Sequence, residues 1–503
     1  MFLQSSTLSL RGGLVIQKSK FSAYSTYSLR SRFHFQANQV FSCQWVVQKV
    51  QLRPKNWTSR LELRKCLLRI YAMRDFAGDS QELECASGMA EASSSVSEEE
   101  VVISSASDSE FVREASHSEN SIKGRLVVPA KPTFRLARCL PGLLITAGLL
   151  LFITSLLFFV DWYTQQIIIP SQHSFFLAPS FLAAAIITGC LGCVCVPLLR
   201  KLKFEQMFRE EGPMSHLVKM GTPTMGGLYF VPVGLVIASL LTRCAHIEVL
   251  GTLTVTLAFG AIGLLDDSLS LIRNHNYGLP GWLKFVLQVV AGTCFSFWWD
   301  SVNLPSPYEM KLLPLPAPIG PLYLGKWYLP LRVFCFAAMA NGINLTDGLD
   351  GLAGGTAALT FIGMSIAVIP IYPGLSAFGA SMAGACIGFL MHNRYKASIF
   401  MGDTGSMALG GALAAMASCS GMFLPLFIGS GVFVAETVSV ILQVVYFKIT
   451  KRLNGVGSRL FQMAPMHHHF ELCGVKEPYI IASAYAISSV LSLFAAYVGL
   501  ISA

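Results

Sequence analysis

Asn344-Leu345-Thr346-Asp347-Gly348-Leu349-Asp350-Gly351 sits between two apolar runs, 328–345 and 352–371, in a chain that is 53% hydrophobic and only 13% charged. Ionisable residues at membrane depth are expensive, so they ordinarily have a task and a partner. Asn341, Asn344, Asp347 and Asp350 recur at every third position. Continued as one helix, that spacing keeps them within a partial arc, each one turn above the last. Oxygen donors gathered in this way suit a hard cation and the phosphates it carries. The bland alternative is a polar interhelical loop with capping aspartates. It is disfavoured because the other acidic motifs collect on the same side of the membrane.

Outward from this stretch, apolar runs near the ~20 residues of a spanning helix follow one another. They fall at 142–160, 175–199, 224–241, 247–265, 283–299, 328–345, 352–371, 375–391, 406–421, 424–447 and 479–501. The expected fold is therefore all-α, a polytopic integral membrane protein. Alternating the faces puts the loops 200–223, 266–282, 342–351, 392–405 and 448–478 on one side. These hold thirteen Lys and Arg, whereas the opposite loops hold three. The positive-inside rule makes the first face cytoplasmic, or stromal or matrix in an organelle.

Every polar motif falls on that face. Lys219-Met220-Gly221-Thr222-Pro223-Thr224-Met225-Gly226-Gly227 offers small residues that let a phosphate approach the backbone, beside a point charge. Asp266-Asp267 closes the fourth segment. Two adjacent carboxylates repel, and a cation or a shared proton relieves them. Asn393 and Phe400 precede Met401-Gly402-Asp403-Thr404-Gly405. The amide can read a polar edge, the ring can stack on a base, and Asp403 opens a helix where a carboxylate is favoured. Pro465-Met466-His467-His468-His469-Phe470-Glu471 supplies imidazoles. Consecutive histidines rarely converge on one ion, so hydrogen bonding or charge donation to a diphosphate is preferred over zinc. Together these residues describe phosphoryl transfer at a membrane surface, from a soluble nucleotide to a lipid phosphate. A transporter would place its carboxylates near mid-bilayer on broken helices, not at one face.

The terminal regions differ in kind. Residues 1–73 hold twelve Lys and Arg against the single acid Glu62 and carry +11, so with +9 for the whole chain the remainder is close to −2. The basic balance therefore says nothing about nucleic acid. An Arg- and Ser-rich, acid-poor N-terminus reads as an organelle transit peptide. Residues 74–138 are Ser-rich and acidic, with Glu98-Glu99-Glu100, and read as a disordered linker. Residues 139–174 form an additional hydrophobic segment with its loop. Basic residues precede this segment and none follows in 161–174, so its N-terminal end is expected on the motif face. The thirteen cysteines are scattered; Cys190, Cys193 and Cys195 fall inside an apolar run and read as small hydrophobes, a metal or disulfide reading being weaker because no second cluster matches them.

The motifs of residues 175–503 resemble those of the bacterial phospho-N-acetylmuramoyl-pentapeptide transferases, within the polyprenyl-phosphate N-acetylhexosamine-1-phosphate transferase superfamily. The His467-His468-His469 triplet distinguishes this branch from the N-acetylglucosamine branches, whose members offer the alternative reading. The resemblance implies Mg²⁺-dependent transfer from UDP-N-acetylmuramoyl-pentapeptide to undecaprenyl or a similar polyprenyl phosphate, with UMP released. It implies that Asp403 binds the metal, that Asp266 and Asp267 are the essential pair with Asp266 the candidate base, and that His467 and His468 lie near the diphosphate. Lys219, Thr224, Lys284, Asn344, Asp347, Asp350, Asn393 and Phe400 are the implied substrate-binding positions. A direct attack of the lipid phosphate and a phospho-aspartyl route both suit these residues, the direct route needing fewer special ones. A homodimer of ten-helix protomers is implied, with the 142–160 segment as an addition. A transit-like leader then places the enzyme in a plastid inner envelope membrane, its site facing the stroma.

Overall fold

The computed structural model describes residues 8–10, 14–17, 28–31, 133–167, 177–202, 221–243, 245–273, 278–302 and 312–503. The chain divides into two units, Met1–Gly124 and Arg125–Ala503. Within the first, β1 (Leu8–Leu10), β2 (Leu14–Gln17) and β3 (Ser28–Ser31) pair antiparallel. These strands were not expected in a leader, and Val15 and Ile16 are residues that suit a pleated surface. Residues 74–132 of the acidic linker and Lys219 lie outside the described residues, whereas residues 133–138, expected in the linker, are helical and open α1.

The second unit is helical. In chain order it contains α1 (Thr133–Ile167), α2 (Leu177–Lys201), α3 (Gly227–Thr242), α4 (Ile247–Arg273) and α5 (Gly281–Ser301). A two-residue hairpin, β4 (Leu312–Leu313) with β5 (Leu322–Tyr323), precedes α6 (Tyr328–Thr346), α7 (Leu352–Val368), α8 (Pro373–Asn393) and α9 (Gly402–Ser420). The chain ends with α10 (Phe423–Gly429), α11 (Gly431–Asn454), α12 (Met466–Leu472) and α13 (Glu477–Ser502). Each apolar run of the sequence becomes helix. Among the described residues, six helices are long and apolar enough to cross a membrane, and α3 and α7 are shorter apolar helices. The protein is a multi-pass, all-α membrane protein.

Burial follows side-chain size. The small-residue-rich helix α7 is buried along its whole length, α9 from Thr404 to Ser420, and α8 along nearly all of its own. Small residues let backbones approach closely where lipid offers no hydrophobic drive to association. Around this centre the other helices bury one stripe and expose apolar side chains such as Leu240, Phe285 and Ile441. Those exposed side chains suit a lipid surround.

Two departures from the sequence reading matter. The run 424–447 is not one segment. It breaks at Ser430 into short α10 and long α11, with the Ser430 hydroxyl donating to the Leu426 carbonyl at 2.6 Å. Gly429-Ser430-Gly431 are weak helix formers, and a hydroxyl bonded within the preceding turn bends a helix. The second departure concerns Asn341, Asn344, Asp347 and Asp350, which do not share one helix. α6 ends at Thr346, Asp347 is its C-cap, and Asp350 lies in the turn before α7. The glycines Gly348 and Gly351 favour that turn, and Gly351 takes φ +85°.

The additional segment is α1, docked on the bundle through Thr146, Leu149, Ile153, Leu157 and Asp161, all buried. Near its start Gly142 lies against Tyr395, between α8 and α9. Near its end the Asp161 carboxylate accepts hydrogen bonds from the main-chain N–H groups of Leu177 (2.9 Å) and Ala178 (2.8 Å), capping α2. Those points are about 28 Å apart along a helix rising ~1.5 Å per residue, close to the ~30 Å of a hydrocarbon core.

Candidate active site

The second half of the Asp266-Asp267 pair is a structural carboxylate. Asp267 Oδ1 accepts from the main-chain N–H of Asp403 at 3.1 Å. Its Oδ2 accepts from the N–H and the hydroxyl of Thr404, at 2.9 and 2.6 Å. Asp267 of α4 is therefore the N-terminal cap of α9, supplied from another helix. Its anion meets the positive end of the α9 dipole. This clamp fixes where Asp403 stands.

Asp266, one residue earlier, points elsewhere. Its Oδ1 accepts from Leu279 N–H at 2.7 Å, and its Oδ2 lies 3.0 Å from the ammonium of Lys284, on α5. The same ammonium donates to Asp403 Oδ2. Asp403 Oδ1 accepts from the Asn344 amide at 2.7 Å, and that amide also reaches Ser406 Oγ at 3.1 Å. Two expected carboxylates, from α4 and the start of α9, thus meet at the nitrogen of Lys284 on α5, and Asn344 of α6 joins them through Asp403. Both Asp266 and Asp403 lie within reach of a single cationic point. A hard divalent ion takes oxygen ligands, and Mg²⁺ in particular uses one or two carboxylates with substrate phosphates and water. Among the described residues no group of three or more His, Cys, Asp or Glu side chains could hold an ion by itself. The two carboxylates fit an ion that completes its shell from substrate.

The connection 394–401 is held from two sides. Phe400 N–H donates to the Pro223 carbonyl at 2.8 Å, while Gly226 and Gly227 N–H groups donate to the Phe400 and Met401 carbonyls at 2.9 and 3.0 Å. The Gly221–Gly227 motif is therefore stitched to the Phe400-Met401 stretch along the main chain. Thr224, buried, and Met225, at φ +66°, lie inside that stitch. From the other side, Asp350 Oδ2 accepts from Ala397 N–H at 2.9 Å, and Asp350 N–H donates to Glu477 at 2.8 Å. Asp350 is buried; its carboxylate braces this connection. Asn393 donates from its amide to the Ile399 carbonyl at 2.7 Å, while its own Oδ1 is buried without a hydrogen-bond partner. A buried acceptor left open is costly unless a ligand supplies a donor. Phe400, which follows Ile399, is half-buried.

The histidines ride on α12, an element the sequence reading left as loop. His467 is 1% exposed; its Nδ1 lies 3.2 Å from Glu436 Oε2, which also faces the His467 main-chain N–H at 3.4 Å. His468 Nδ1 lies 3.3 Å from Glu471 Oε2. Nε2 atoms of both rings crowd Gly348, so that any side chain there would collide with His467 and come within 3.1 Å of His468 Nε2. The imidazoles therefore face the turn that holds Asp347, which is half-buried. Glu436 was missed. The available signal was a lone acid inside the run 424–447, and such a residue ordinarily has a partner.

Residues 249–421, which include Asp266, Lys284, Asn344 and Asp403, match glycosyl transferase family 4. Over about two thirds of its length the chain is similar to phospho-N-acetylmuramoyl-pentapeptide-transferases. With that of Nostoc punctiforme it shares 43% identity over 335 residues, 67% of this chain and 90% of the relative. With that of Picosynechococcus it shares 47% over 307 residues, 61% of this chain and 82% of the relative. With that of Microcystis aeruginosa it shares 42% over 349 residues, 69% of this chain and 94% of the relative. The chain belongs to the phospho-N-acetylmuramoyl-pentapeptide-transferase family. In this transferase the Lys284-centred cluster falls within the family 4 match, whereas the His467-bearing helix and the Gly221–Gly227 stretch lie outside it.

Proposed function

We infer that this protein transfers phospho-N-acetylmuramoyl-pentapeptide from its UDP-linked form to a polyprenyl phosphate, giving the lipid-linked diphosphate of peptidoglycan synthesis and UMP. The observation that carries the reading is the Lys284 ammonium shared by Asp266 and Asp403 at a membrane-protein surface. In the direct route an oxygen of the lipid phosphate attacks the β-phosphorus of the donor. The bond to the α-phosphate oxygen breaks, and UMP leaves with that oxygen. Asp266 holds or accepts the acceptor's proton. Lys284 balances negative charge between the two carboxylates. Asn393, with its open Oδ1, and Phe400 take the uracil, one by hydrogen bond and one by stacking. We assign Lys219, Thr224, Asn344 and Asp347 to donor binding. His467 and His468 steady the diphosphate.

Mg²⁺ fits Asp403 and Asp266, and when bound it would neutralise charge on the phosphates. Asp267 and Asp350 serve the reaction indirectly, by fixing Asp403 and the Ala397 connection. We further assign the enzyme to a plastid inner envelope membrane, as a homodimer with its site towards the stroma. The basic leader and the cyanobacterial relatives support this placement.

The test uses the purified full-length chain with polyprenyl phosphate. UMP release and lipid product are measured with UDP-N-acetylmuramoyl-pentapeptide and, separately, UDP-N-acetylglucosamine, each with Mg²⁺ and with a chelator. Turnover is expected only with the muramoyl donor and Mg²⁺. Turnover with the glucosamine donor alone would overturn the substrate assignment.

A further inference from the structure

The helix that the catalytic motifs do not require, α1, touches the reaction machinery at one place. Its buried residues, Gly142, Thr146, Leu149, Ile153, Leu157 and Asp161, recur at three- and four-residue spacing along one face. The opposite face exposes Leu144, Leu151, Phe158 and Phe159. One stripe therefore packs on protein while the other side suits lipid. At the motif-face end of the stripe, Gly142 lies so close to Tyr395 that an added Cβ would collide with its carbonyl and come within 3.2 Å of its Cβ. A small cavity there is lined by Gly142, Thr146, Asp350, Arg394, Tyr395 and Tyr485. Asp350 in turn holds Ala397, two residues beyond Tyr395. At the far end, Asp161 locks α1 to the first turn of α2. The helix is thus pinned at both ends, and one of the pins bears on the connection between Asn393 and Phe400.

We propose that α1 is a built-in brace for the donor-binding connection 393–400, and that Gly142 is the positioning residue through which it acts. This rests on the reading of Asn393 and Phe400 as the uracil-binding residues. The backbone of Tyr395 is fixed against α1 on one side and through Asp350 on the other. Asn393 Oδ1 and the Phe400 ring are thereby held before the nucleotide arrives. Fixing them in advance reduces the ordering cost of binding.

Two measurements on the full-length enzyme in lipid nanodiscs test this. Gly142→Leu should raise the KM for UDP-N-acetylmuramoyl-pentapeptide about tenfold, the scale of effect from a small displacement of positioning groups. The KM for polyprenyl phosphate should stay unchanged. Gly142→Ala, the smaller step and the safer one for folding, should fall between. Leu144→Ala, on the exposed face of the same helix, should match wild type. Separately, Gly142→Cys with Tyr395→Cys should cross-link under mild oxidation, and neither single variant should. Failure to cross-link would overturn the placement of α1. Cross-linking with unchanged donor KM in both Gly142 variants, or equal loss for both substrates, would overturn the brace. Absence of turnover in wild type would instead sink the functional reading, and the cross-linking result would stand by itself.

Discussion

Asp267 accepts a hydrogen bond from the main-chain N–H of Asp403 at 3.1 Å, so one aspartate of an adjacent pair caps the helix that presents the other key carboxylate. Asp266, its neighbour, instead faces Lys284 at 3.0 Å. Two acids next to each other in sequence thus have separate tasks, because successive side chains on a helix diverge by about 100°.

Asp267→Asn and Asp266→Asn should therefore fail in different ways. Loss of the cap should cost about 1–2 kcal/mol of stability, read as a lower midpoint in thermal denaturation together with reduced turnover. Asp266→Asn should keep its midpoint and lose roughly 10²–10⁴ in kcat, the scale of a lost proton-transfer group. Equal midpoints for the two variants would refute the division of labour.

Asp403→Asn keeps the size and removes the charge. Turnover should fall at least ~10²-fold, the order seen when one electrostatic stabiliser is removed, and the Mg²⁺ concentration needed for half-maximal rate should rise. A variant with wild-type rate and Mg²⁺ dependence would remove Asp403 from the metal site.

Phe400→Ala should weaken binding of the UDP donor by ~1–3 kcal/mol, the value of one base–aromatic stack. Isothermal titration with the donor and with UMP should show similar losses, and the polyprenyl phosphate should bind as before. Loss of acceptor binding to the same degree would mean that the ring has another role.

Glu436→Gln separates orientation from support. Glutamine still offers an oxygen to the His467 main-chain N–H, so a purely structural glutamate would be replaced without effect. Should the carboxylate orient the His467 ring, kcat should fall about tenfold, on the order of one charge-assisted hydrogen bond. The donor KM should remain near wild type. The loss should vanish when the same change is made on a His467→Gln background.

The order of the long helices was legible because each is an apolar run bounded by polar residues, and bilayer thickness sets the length such runs need; the break at Ser430 and the short α12 were not. The residues of the Lys284 cluster were legible one by one, since acids and amides are rare in so apolar a chain. What they do to one another was not. Nothing in the order Asp266-Asp267 says which carboxylate turns to α9, because that depends on how α4 and α9 pack. The even spacing from Asn341 to Asp350 suggested one helical face, but the chain turns at Gly348 and Gly351. Glu436 and His467 are thirty-one residues apart, and only the approach of α12 to α11 makes them a pair. The sequence by itself determined which segments are apolar enough to form the helical bundle and which residues are costly among them, because both follow from transfer of single groups out of water. The tertiary structure decided which of those residues became partners, caps or braces, because directed hydrogen bonds depend on positions that only packing between distant segments sets.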